Sequence, residues 1–64
     1  MFIEVVTYNT KKTIHISLIE SFGVDCSDEE RTMIVLKGDE FLSIDETYDH
    51  FINRLAIITE ISRV

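Results

Sequence analysis

Cys26 stands in the stretch "GVDCSDEER", beside Asp25, Asp28, Glu29 and Glu30. A cysteine does nucleophilic chemistry as the thiolate, which forms beside cations or helix N-termini, and flanking carboxylates have the opposite effect. The same acids suggest calcium, but an EF-hand loop alternates its ligands, turns at a glycine and closes on a glutamate, and that spacing is missing here. Structural zinc takes about four ligands. Beyond Cys26 the chain offers His15 and His50, with carboxylates at no recognised spacing. His15 falls on the polar side of an alternating segment, with no partner nearby to make it a base or a ligand. No phosphate-cradling glycine loop, serine triad or paired active-site motif is present, so the chain reads as a non-enzyme with no cofactor and no metal.

The composition narrows the classes further. A chain of 64 residues makes one domain that buries only about 60% of the surface its unfolded form exposes. Domains of this size usually rely on a staple, unusually good packing or self-association. A single cysteine excludes an intramolecular disulfide and points to a reducing compartment. An apolar fraction of 45% is too high for intrinsic disorder. The net charge of -6 repels phosphate backbones and anionic lipid surfaces, which argues against direct nucleic-acid binding. "MFIEVVTYNT" is no basic segment followed by an apolar run, so a signal peptide is not expected. No apolar stretch has the length of a membrane span, so no membrane insertion is expected and a cytoplasmic protein is.

Hydropathy patterning supplies the elements. "FIEVVTY" and "TIHISL" alternate as two strands, at about 2–8 and 12–17, around the polar "NTKK". The second puts Ile14, Ile16 and Leu18 on one side. "IESFGVD" reads as a third strand at about 19–25, with Gly23 a bulge or a place where another chain comes close. A "CSDEER" loop follows. Strands at about 32–36 and 40–45 then flank "KGD", a hairpin turn, and are apolar on both faces, which predicts a central hairpin buried on both sides. From about 47 to 62 the period becomes helical, with Tyr48, Phe51, Ile52, Leu55 and Ile58 on one face and Asp45 or Thr47 as N-cap. The expected fold is α+β, a meander of about five antiparallel strands, either a bent sheet or a small barrel-like one, with one C-terminal helix.

The order "TYNTKKTIHISLIESF", a gap, then "TMIVLKGDEFLSIDETYDHFINRL" resembles the FlbD-like family of small proteins associated with flagellar gene clusters and swarming motility; small phage-encoded proteins look similar. Thr7, Lys12, Ile14, Ile16, Ile19 and Glu20 match the first half of the family pattern. Thr32, Ile34, Leu36, Gly38, Ile44, Glu46, Thr47 and Asp49 match the second. The resemblance implies a non-enzymatic accessory role exercised through protein contacts.

Two features remain as candidate contact surfaces. On a helix of about 100° per residue, Ile57, Ile61 and Val64 fall nearly opposite the Tyr48, Phe51 and Leu55 arc. Three arrangements fit. The helix ends near Ala56 and "IITEISRV" continues as an edge strand; the tail frays; or the second stripe packs against another copy or a partner protein. The leading expectation is a self-associating interaction module with Ile57, Ile61 and Val64 at the contact. The second feature is acidity, since Glu20 to Asp49 holds ten acidic residues against two basic ones, Arg31 and Lys37. The alternative function is an acidic, phage-type inhibitor that mimics nucleic acid, with Asp25, Asp28, Glu29 and Glu30 occupying a basic groove of a host protein.

Overall fold

Alternation along β1 (Phe2–Thr7) sends Ile3 and Val5 inward and leaves Phe2, Glu4 and Val6 outside. In the computed structural model, which describes residues 1–62 and side chains as far as Thr59, this strand pairs antiparallel with β2 (Thr10–His15), from Phe2↔His15 to Thr7↔Thr10. The reversal therefore takes only two residues. Tyr8 and Asn9 have φ of 47° and 66°, the left-handed pair of a primed hairpin turn, whose twist matches that of the strands it joins. The expected longer "NTKK" connection is corrected accordingly, and Thr10 and Lys11 belong to β2. Asparagine tolerates this conformation well, whereas tyrosine does so at a steric cost.

The end of β2 is also corrected. Ile16 N–H donates to the Met1 carbonyl at 2.8 Å, and His15 Nδ1 then accepts from Ser17 N–H at 3.2 Å, drawing the chain into a 3-10 turn over Ile16–Leu18. A side-chain acceptor that satisfies the first free N–H groups favours a turn over further strand. Ile16 still packs on the core, but Leu18 is exposed.

The second sheet has the order β3-β4-β5, with β3 at Ile19–Asp25, β4 at Asp28–Leu36 and β5 at Glu40–Ile44. β4 begins at Asp28 and not at the expected Thr32. The "CSDEER" stretch is thus no loop; Cys26 and Ser27 alone form the turn between the paired Asp25 and Asp28. The Asp25 carboxylate holds that turn closed, as its Oδ1 accepts from Ser27 N–H at 2.9 Å and Ser27 Oγ at 2.8 Å. Between β4 and β5, Gly38 and Asp39 take φ of 90° and 61°, and glycine makes the first of these readily accessible.

Helix α1 (Tyr48–Ser62) covers the inner face of this sheet. Thr47 is its cap: its Oγ1 accepts from His50 N–H at 3.3 Å, and its carbonyl accepts from Phe51 N–H at 2.9 Å. Phe51, Ile3, Val5, Ile14, Ile34 and Ile44 form the buried core, so ribbon, sheet and helix each contribute. Phe22 lies edge-on to Phe51 with ring centres 5.2 Å apart. Thr32, wholly buried, donates from Oγ1 to the Glu46 carbonyl at 2.8 Å, anchoring the chain just before the helix.

Two bonds tie the ribbon to the edge of the sheet. Asp45 N–H donates to the Val6 carbonyl, and Thr7 Oγ1 donates to the Ser43 carbonyl, both at 2.7 Å. The fold is α+β: the described residues form five strands in two antiparallel sheets and one C-terminal helix, and these sheets do not close as a barrel. The expectation of a β4–β5 hairpin buried on both sides is corrected. Ile34 and Ile44 are inside, but Phe41 is 69% exposed on the outer face.

Candidate interaction surfaces

The terminal helix separates its apolar residues into two groups. Leu55 and Ile58 pack against the core, while Ile57 is 58% exposed. The helix continues through Ser62, so residues 57–62 are helical and do not form the edge strand that was one of the expected arrangements. The Ile61 side chain and Val64, expected to extend the stripe, lie outside the described residues.

The expected acidic surface divides as well. Asp28, Glu29 and Glu30 are exposed at the start of β4, where Asp28 Oδ1 accepts from Glu30 N–H at 3.0 Å. Asp25 is corrected, being only 5% exposed. Besides the two bonds from Ser27, its Oδ2 accepts from Ser43 Oγ at 2.6 Å. Ser43 Oγ in turn accepts from Arg31 Nε at 2.8 Å, and Arg31 Nη2 donates to the Ser43 carbonyl at 2.9 Å. Arg31 also pairs with Asp45 and lies 4.2 Å from the centre of the Tyr8 ring. A hydrogen-bonded network thus joins the tip of β3, the start of β4, the end of β5 and the ribbon turn. The strained Tyr8 is held where its ring meets the guanidinium, a favourable cation–π arrangement.

The bonds from Ser43 and Ser27, with a smaller contribution from the Arg31 charge, lower the Asp25 pKa from 3.8 to about 2. A carboxyl whose folded pKa lies below its unfolded value stabilises the fold above the unfolded pKa, and that contribution fades as pH falls through the folded one. Thermal melts of the native chain should therefore lose stability as pH drops from 3.8 to about 2. Asp25→Asn should flatten the slope across that window, and an unchanged slope would detach the acid response from this residue.

The other chemistry-bearing residues are placed apart. Cys26 is free and exposed at the β3–β4 turn. His15 lies against Phe2, with ring centres 4.9 Å apart. His50 Nδ1 meets Glu46 Oε2 at 2.7 Å, and Glu46 also pairs with Arg54. Among the described residues, no three His, Cys, Asp or Glu side chains converge as metal ligands would. No described helix is long and apolar enough to cross a membrane.

A further surface escaped sequence reasoning. On β4, Met33 and Val35 alternate with the buried Ile34 and point outward, and Val35 sits directly across from Phe41 on β5. Ser21 and Gly23 on β3 face Val35 and Met33 from the other side. The signal was available in the two-faced apolar pattern, since one helix and one ribbon can cover only one face of the sheet. Compared with known protein families, with curated proteins and with solved structures, the chain matches none.

Proposed function

We propose that this protein is a non-enzymatic interaction module that self-associates through the outer side of α1. The observation that carries the reading is Ile57, 58% exposed on a helix whose Leu55 and Ile58 already pack on the core. An isoleucine left in water forgoes about 1.5–3 kcal/mol of burial, and in a domain this small a second copy is the readiest source of cover. The resemblance of residues 2 to 55 to FlbD-like proteins supports an accessory role in motility or phage biology. The nucleic-acid mimic has less geometry behind it, because Asp25 is turned into the fold.

Sedimentation tests this reading. The wild-type chain should exceed the 7.4 kDa of a monomer, and Ile57→Glu with Ile61→Glu should return it to that mass with an unchanged circular dichroism spectrum. A wild-type monomer, or an assembly indifferent to both substitutions, would overturn it.

A further inference from the structure

We infer that the outer face of the β3-β4-β5 sheet, centred on Val35 and Phe41, docks an amphipathic segment of a partner protein, apolar in its middle and basic at its ends. This extends the reading as a contact module to a second face, and it does not depend on the helix stripe. Phe41 is 69% exposed opposite the half-buried Val35, with Met33 next on the same strand. On the β3 side the surface is low and open, since Ser21 and Gly23 flank the apolar row and a Cβ added at Gly23 would meet nothing within 4 Å. The result is a shelf on which a rod-shaped element can lie. The polar network around Asp25, Arg31 and Ser43 closes one end of it.

Charge selects the occupant. Exposed Asp28, Glu29 and Glu30 stand at one end of β4, while Glu20, Asp39 and Glu40 surround the other. Arg31 is engaged by Asp45 and Ser43, which leaves Lys37 as the free cation beside this face among the described residues. A second copy laid on the shelf in either direction would set acid against acid, and like charges across an interface disfavour that partner. A segment with lysine or arginine at both ends meets complementary charge at each. A nine-residue β4 spans about 27 Å at the usual strand rise, the length of about 18 helical residues.

The test titrates the isotopically labelled full chain with a synthetic Leu/Lys amphipathic helix of about 18 residues, lysines concentrated at its ends. Controls are its Leu/Glu counterpart and a scrambled Leu/Lys peptide with no apolar face. Amide shifts should concentrate on Ser21, Gly23, Met33, Val35 and Phe41, weaken with added salt, and be absent with either control. Phe41→Ser, a surface change whose spectrum should stay dispersed, should weaken binding at least about tenfold. Ile57→Glu should bind as the wild type does, which separates this face from the helix stripe. Equal binding of the scrambled peptide, shifts centred on α1, or indifference to Phe41→Ser would overturn the proposal. So would a Phe41→Ser chain of lower sedimentation mass that, like the wild type, ignores the peptide, since the occupant would then be a second copy.

Discussion

Phe51→Ala should destabilise the fold by about 3–5 kcal/mol, the usual cost of emptying a fully buried phenylalanine site. The ring is inaccessible to solvent and touches Phe22 edge-on, and it belongs to the same core as Ile3, Val5, Ile14, Ile34 and Ile44. It is therefore the point at which ribbon, sheet and helix meet. A chain of 64 residues has a total stability of about 3–10 kcal/mol by the usual yield per residue. One substitution thus removes roughly 30% of it or more, and urea titration should show a midpoint shifted far down or no folded baseline at all. Phe41→Ala, on the outer face, is the matched control and should move the midpoint little. A Phe51→Ala midpoint close to wild type would mean that the helix is not docked as described.

Arg31→Met should cost about 1.5–3 kcal/mol, chiefly through hydrogen bonds to the charged Asp45 and the half-buried Ser43. Methionine keeps much of the stem, so the loss isolates the guanidinium. That group donates to Ser43 Oγ and to the Ser43 carbonyl, pairs with Asp45 and lies beneath the Tyr8 ring. Removing it withdraws the clasp between ribbon turn and sheet while leaving Phe51 and the core untouched. The acid response provides a second readout. Ser43 and Ser27 lower the Asp25 pKa more than Arg31 does, so Arg31→Met should retain most of the slope that Asp25→Asn removes. A variant as stable as wild type would reduce the network to a surface decoration, and loss of the whole slope would make Arg31 its organiser.

Much of this was legible in the chain because it depends on periodicity. Ile3 and Val5 alternate with polar or exposed neighbours, and Phe51, Leu55 and Ile58 recur at helical spacing; both patterns follow from backbone geometry and need no tertiary information. The sequence allows Asp45 or Thr47 as the N-cap, and only the fold separates them, since Asp45 is taken by Arg31 and Thr47 caps the helix. The Tyr8–Asn9 turn is hard to read from the chain because neither residue is glycine. Its left-handed backbone is set by the strand pairing on either side and accompanied by the contact of Tyr8 with Arg31.

Asp25 and Phe41 mark where sequence reasoning stops. A carboxylate in "DCSDEER" looks like one more solvated acid, and a phenylalanine in "EFLSI" looks like one more core residue. Each is the reverse. Asp25 is buried because residues from the other two strands of the sheet, Arg31 and Ser43, come together around it, and Phe41 is exposed because the single helix covers the opposite face. The α+β class, the C-terminal helix and its core-facing residues follow from the order of residues alone, because local period records which side of an element is apolar. Which apolar side is covered and which acid is partnered follows only from the packed fold, because burial depends on neighbours distant in the chain.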